Sequence, residues 1–151
     1  MSGRTEALRA ALRRGHLLGL ALCLGTPALV GGLILSGAVP PGQEASEGLY
    51  QQVGYLFTGL VFLAAAWVWW RSGRKLGAFR SLAEGERPAT VFRESLLYAT
   101  AFEVSSLCGL AYWALVGTHG GRHVWGFILL TPVLFLTLVP RYDRWAQQLE
   151  G

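Results

Sequence analysis

Charged residues are scarce in this chain of 151 residues, since Asp, Glu, Lys and Arg together make up only 15% of it. Water-soluble domains carry roughly a quarter of such residues. Hydrophobic residues reach 52%, and the mean hydropathy is +0.39. Low charge with high hydrophobicity excludes intrinsic disorder, which needs the opposite balance, and argues against a soluble domain.

The chain also has little of what enzymes and metal sites require. Its two cysteines, Cys23 and Cys108, do not form a Cys-x-x-Cys pair suited to thiol exchange. The sequence has no phosphate-binding glycine loop, zinc-protease helix or serine nucleophile elbow. His119 and His123 are four residues apart around a Gly-Gly pair, and a metal there would need a third ligand from another loop. We therefore expect no enzyme, no resident metal and no cofactor.

Four long apolar blocks dominate the sequence instead, and a membrane-spanning helix needs about 20 mostly apolar residues. The blocks cover residues 17–39, 49–70, 95–116 and 124–139. They predict an all-α, polytopic membrane protein in which residues 1–151 form one integral domain. We expect a four-transmembrane-helix bundle, built as two αα-hairpins joined by a cytoplasmic loop over residues 71–94.

Basic residues predict the orientation of these spans, because cytoplasmic loops carry an excess of Lys and Arg. All but one of the thirteen basic residues fall on one predicted side, and the opposite loops contain only Arg122. The twelve are Arg4, Arg9, Arg13, Arg14, Arg71, Arg74, Lys75, Arg80, Arg87, Arg93, Arg141 and Arg144. This bias predicts cytoplasmic termini in the cell inner membrane, with anionic headgroups as partners. Nucleic acid is not expected, because no aromatic residues interleave the N-terminal arginines.

Two segments leave alternatives open. The first block follows basic residues and ends near Ser36, so it also resembles a cleaved signal peptide, although it exceeds the usual apolar length of about 7–15 residues. In the basic loop, Leu76, Phe79 and Leu82 lie roughly on one helical face. That segment is interpreted either as a short helix on the membrane surface or as a solvated loop.

Small residues form a stripe along the first span. Its members share one helical face, because they are three or four positions apart. They are Ala21, Gly25, Ala28, Gly32 and Ser36. Such a stripe lets another helix backbone approach closely within lipid. We expect it either to mediate homo- or hetero-oligomerisation or to pack against another helix of the same chain.

Glu103 is the only formally charged residue well inside a predicted span. Placing an ionised carboxylate at mid-membrane costs on the order of 2.5–3.5 kcal/mol, so the side chain should face a neighbouring helix. Thr100 and Ser106 lie three positions to either side, and Thr26 and Thr131 are expected at similar depth on the first and fourth spans. These hydroxyls and Glu103 form either a proton- or cation-binding site or an interhelical hydrogen-bond anchor.

The segment around this acid, FEVSSLCGLAYWALVG at residues 102–117, resembles the carboxylate helix of rotor-ring subunits from rotary ATPases. In those subunits an acid is followed six residues later by Gly and a hydrophobic run, as Glu103 is followed by Gly109 and Leu110. The segment is also similar to uncharacterised four-helix bacterial membrane proteins with an acid at this place. The rotor resemblance implies that Glu103 binds the ion and that the small-residue stripe lines a ring of subunits.

Two functions follow from these features. The first is a small accessory or scaffold subunit of an inner-membrane complex, which contacts its partners through the first helix and the basic loop. The alternative is a proton- or cation-translocating subunit that uses Glu103. The two differ in whether a carboxyl group is needed at position 103.

Overall fold

The described part of the chain is helical except at the connections between its helices. The computed structural model describes residues 2–43 and 46–150, in which the regular elements are α-helices and two short 3₁₀ turns. The α-helices are α1 (Ser2–Leu35), α2 (Glu47–Ala78), α3 (Arg87–Val116), α4 (Gly121–Leu138) and α5 (Tyr142–Glu150). The 3₁₀ turns are Phe79–Ser81 and Thr118–Gly120.

Four helical stretches in the described residues are long and apolar enough to cross a membrane. They run over Glu6–Leu35, Glu47–Ser81, Arg87–Val116 and Thr118–Gln148. This confirms the all-helical fold class and the number of candidate spans. Each stretch also extends beyond its apolar block, because Arg, Lys and Glu are good helix formers and a charged residue does not end a helix.

The basic segment at residues 71–94 differs from the predicted loop. The helix α2 continues to Ala78 and α3 begins at Arg87, so only residues 79–86 connect them. The Phe79 side chain is fully buried, and Leu76 and Leu82 pack against the same apolar cluster. Phe79 and its apolar neighbours therefore pack into the protein, whereas residues 83–86 are exposed.

The helix α3 lies at the centre of the bundle. It packs against α1, α2 and α4, and α1 also packs against α4. The first predicted hairpin is not supported, because α1 and α2 share no packed interface in the described residues. The connecting loop instead passes over the end of α3, where the Trp113 indole donates to the Val39 carbonyl at 3.0 Å. A long loop anchored there lets α1 and α2 pack on different sides of α3.

Both terminal segments meet at one end of the bundle. An apolar cluster at this end joins α1, α3, α5 and the Phe79–Ser81 turn. Its buried members are Leu8, Leu12, Phe79, Val91 and Trp145. The Phe79 and Trp145 rings meet at 4.8 Å between centroids in an edge-on arrangement. The cluster brings the first turns of α1 and the C-terminal helix to the end that carries most of the basic residues.

Glycines on α1 meet two different environments. A Cβ added at Gly19 would lie 2.6 Å from the Phe135 ring of α4, and a Cβ at Gly15 would lie 3.2 Å from the Ser95 Cβ of α3. A Cβ at Gly25 would meet nothing within 4 Å. Close approach of α1 to α3 and α4 therefore requires glycine at positions 15 and 19, but not at position 25.

We predict that Gly19→Ala destabilises the folded chain by about 1–3 kcal/mol, because the added Cβ would lie 2.6 Å from the fully buried Phe135 ring and would force it to shift. Gly25→Ala is the matched control on the same helix. It should leave stability unchanged or raise it by about 0.5–1 kcal/mol through helix propensity. Thermal unfolding of both variants in the same detergent measures the difference, and equal melting temperatures would contradict the α1–α4 packing described here.

Candidate functional site

The carboxyl group of Glu103 lies between helices. Both carboxyl oxygens are inaccessible to solvent and make no hydrogen bond within the described residues. The Thr26 hydroxyl and the Cys23 thiol of α1 face the carboxyl group, but outside hydrogen-bonding geometry. The carboxyl group therefore sits at the α1–α3 interface with two weak polar neighbours and no basic partner among the residues that face it.

The other hydroxyls expected near Glu103 are directed elsewhere. Ser106 and Thr131 are fully buried and share a hydrogen bond of 2.8 Å between their Oγ atoms, which links α3 to α4. Thr131 also donates to the Phe102 carbonyl at 3.3 Å. Thr100 is exposed and donates to the Leu96 carbonyl of its own helix. Of the hydroxyl residues expected around the acid, the structure brings only Thr26 to it.

Ser105 contributes a further contact between α3 and α4. Its hydroxyl donates to the Phe127 carbonyl at 2.6 Å, and the side chain is fully buried. With the Ser106–Thr131 pair it forms a short column of buried hydrogen bonds at the α3–α4 interface. Each of these hydroxyls therefore has a hydrogen-bond partner in the α3–α4 interface.

The small-residue stripe of α1 faces away from the rest of the chain. All five of its members are exposed: Ala21, Gly25, Ala28, Gly32 and Ser36. A Cβ at Gly32, like one at Gly25, would meet no neighbouring atom within 4 Å. Pro27, beside the stripe, is buried. Packing of the stripe against another helix of the same chain is therefore absent from the described residues.

A buried ion pair at the basic end was not predicted from the sequence. Arg71 on α2 donates from Nε and Nη2 to the two carboxyl oxygens of Glu94 on α3, each at 2.8 Å. The Glu94 side chain is only 4% exposed, and Lys75 Nζ adds a contact at 3.8 Å. One signal was available, because Arg71 directly follows the second apolar block and Glu94 directly precedes the third. Antiparallel spans bring those two positions to the same depth.

A second polar cluster closes the opposite end of the bundle. The Tyr50 hydroxyl and His123 Nδ1 are 2.8 Å apart, and the Tyr112 hydroxyl donates to the Tyr50 carbonyl at 3.1 Å. These contacts join α2, α3 and α4. The described residues contain no group of three side chains suited to hold a metal. His123 therefore takes part in an interhelical contact with Tyr50.

Cavities occur at the basic end, between α1 and its neighbours. One of about 360 Å³ is lined by three arginines, one histidine and one leucine. These are Arg9, Leu12, Arg13, His16 and Arg141. None of the lining residues is acidic, so the cavity has a strongly positive wall.

Comparisons of this chain with protein-family models, curated proteins and solved structures found no match.

We predict that Arg71→Met lowers the free energy of unfolding by about 1–3 kcal/mol, because it leaves the Glu94 carboxylate buried without its hydrogen-bond donors. The double variant Arg71→Met/Glu94→Gln should recover part of that loss, since it also removes the buried charge. Arg74→Met is the matched control: Arg74 lies over the Trp70 ring at 4.8 Å and makes no hydrogen bond or ion pair in the described residues. Unfolding in detergent measures all three variants, and equal losses for Arg71→Met and Arg74→Met would contradict a structural role for the pair.

Proposed function

We propose that this chain is a multi-pass protein of the inner (cytoplasmic) membrane and an accessory or scaffold subunit of a complex within it. Both termini lie in the cytoplasm in this proposal. The basic excess at one end of the bundle and the convergence of both terminal segments there support that orientation. The partner docks on the small-residue stripe of α1.

The exposure of the stripe is the observation that carries this proposal. Apolar residues gain little by leaving lipid for a protein interface, so association in membranes depends on close van der Waals packing between helices. Gly25 and Gly32 allow such an approach, and no helix of this chain uses it in the described residues. Exposed leucines flank the stripe, among them Leu22 and Leu29. A second helix laid on this face gains contact with both the backbone and the leucine side chains.

The exposed face of α2 is of a different kind. It carries large side chains, including Phe62, Leu63 and Trp69, each more than two-thirds exposed. Bulky side chains keep another backbone at a distance, and acyl chains conform to such a surface readily. We assign this face to lipid and the face of α1 to protein.

We predict that Gly25→Leu/Gly32→Leu reduces the mass of the native complex to that of a smaller assembly or a single chain, because leucine side chains block close helix approach. The matched control is Gly59→Leu/Gly126→Leu, on α2 and α4, where an added Cβ also meets nothing within 4 Å. Native mass measurement after extraction in a mild detergent distinguishes a ring, a hetero-complex and a monomer. A wild-type monomer, or a stripe variant of unchanged mass, would overturn the scaffold role.

A second candidate function is proton or cation translocation through Glu103. It is favoured by one observation, namely that both carboxyl oxygens are buried without a hydrogen-bond partner in the described residues. Acids inside membrane spans mark ion pathways or proton relays more often than structural contacts. A rotor-like subunit would in addition assemble as a ring, which the mass measurement reveals.

For this candidate we predict that Glu103→Gln abolishes ion flux into proteoliposomes and removes a titrating carboxyl band from the infrared spectrum. Glutamine keeps the size and hydrogen-bonding capacity of the side chain but cannot exchange a proton. Glu47→Gln, at the exposed start of α2, is the control and should change neither signal. If Glu103→Gln preserves assembly and no carboxyl band titrates in the wild type, Glu103 is a hydrogen-bond anchor.

A further inference from the structure

The basic cavity at the end of α1 is the feature that the proposed function leaves unused. It lies between the early turns of α1 and the link from α4 to α5, where Arg141 is located. An adjoining depression of about 440 Å³ shares Arg9 and Arg13 and adds Arg14. Both are open at the surface of the protein.

The segment of α1 that lines the cavity is packed against the protein core. Leu12, which lines the cavity, is buried in the apolar cluster at this end. The His16 ring lies 5.0 Å from the buried Phe135 ring of α4. These contacts fix the α1 backbone that carries Arg13, so the positive wall is not a flexible tail.

Two guanidinium groups of this wall, those of Arg13 and Arg141, have no acidic neighbour among the residues that line the cavity. The nearest acids in sequence, Glu6 and Asp143, are exposed and do not line the cavity. Guanidinium groups that converge in this way suit a ligand with several anionic oxygens, because Arg donates two parallel hydrogen bonds to phosphate or carboxylate.

An apolar stripe begins directly beside these charges. Arg13, Leu17, Leu20 and Leu24 are spaced by four, three and four residues and therefore share one face of α1. Leu17 is 56% exposed and Leu24 is 51% exposed. The first apolar block begins at Leu17, so Arg13 lies one helical turn outside it, at the depth of lipid headgroups. A ligand bound along this face would contact the Arg13 guanidinium at one end and the leucine side chains beyond it.

From this juxtaposition we infer that the cavity binds the phosphate of an anionic phospholipid, held between Arg13 and Arg141, with an acyl chain along Leu17 and Leu24. A phospholipid and a soluble phosphate compound both offer a phosphate group to the arginines. The apolar face of α1 beside them favours the lipid. The inference rests on the membrane insertion that the proposed function assumes. It adds a specific lipid site to the general attraction between basic residues and an anionic surface.

The test is lipid binding to the full chain in detergent, followed by native mass spectrometry, with phosphatidylglycerol and phosphatidylcholine of the same acyl chains as probes. The wild type should bind phosphatidylglycerol at least about tenfold more tightly. Arg13→Ala/Arg141→Ala should lose most of that preference, because each Arg contributes roughly 1 kcal/mol near an anionic lipid and a tenfold change is about 1.4 kcal/mol. Arg74→Ala/Arg93→Ala, at the same end but outside the cavity, should stay within about twofold of the wild type.

Two further arms separate a lipid from a soluble ligand. Leu17→Asn/Leu24→Asn should weaken binding of phosphatidylglycerol, whereas millimolar glycerol 3-phosphate should not displace it. Displacement by glycerol 3-phosphate together with no effect of the asparagine variant would overturn the lipid assignment in favour of a soluble phosphate. Equal binding of the two lipids, or an unchanged preference in Arg13→Ala/Arg141→Ala, would overturn the site itself.

Circular dichroism melting of each variant shows whether a loss of binding comes from unfolding, and a variant that melts early is replaced by its Gln counterpart. The lipid assay in detergent depends neither on orientation nor on a protein partner. A wild type that is monomeric but still prefers phosphatidylglycerol would count against the scaffold role alone. An intact complex without a lipid preference would count against the lipid site alone.

Discussion

Enclosure of α3 by three other helices is the constraint on which the rest of the structure depends. In hydrocarbon, each helix satisfies its own backbone hydrogen bonds, so contacts between side chains decide how the helices are arranged. The contacts that reach α3 are of different kinds: glycine-mediated approach from α1, an ion pair from α2 and buried serine hydroxyls toward α4. Because α1 and α2 each pack on α3 and not on each other, each keeps an outward face with no intrachain neighbour.

The number of candidate membrane spans could be predicted from the sequence, because the length of an apolar block is a local property. The short helix α5 was not predicted, because it has no apolar block of its own. The ends of the helices could not, since Arg71 and Lys75 continue α2 as well as an apolar residue would. Helix pairing is also non-local: proximity in sequence favours an α1–α2 hairpin, but Trp113 anchors the connecting loop over α3 and separates the two helices. The structure places Thr26 beside Glu103, at the depth that the sequence predicts. Thr100 bonds to its own helix instead, because depth gives no information about which face a side chain occupies.

The two acids of α3 show how environment assigns different roles to one residue type. Glu94 lies at the end of the bundle, where Arg71 and Lys75 reach it, and its carboxylate is satisfied as an ion pair. Glu103 lies about two and a half turns further along, where its neighbours are a hydroxyl and a thiol. An ion pair across α2 and α3 explains the presence of Glu94 structurally. No equivalent contact explains Glu103, and this difference is why the second candidate function rests on Glu103 and not on Glu94.

The glycines of α1 provide the strongest physical argument for a partner. Glycine in a helix interior costs roughly 0.5–1 kcal/mol relative to alanine, so its use requires a compensating contact. Gly15 and Gly19 have that contact within the chain, because Ser95 and Phe135 occupy the space that a Cβ would need. Gly25 and Gly32 face open space, as do the alanines of the same stripe. Gly31 also has such a contact, because a Cβ there would lie 3.2 Å from the Trp125 ring. Glycine on one helix is thus explained from within the chain at three positions and unexplained at Gly25 and Gly32, where the proposed partner helix would supply the compensation.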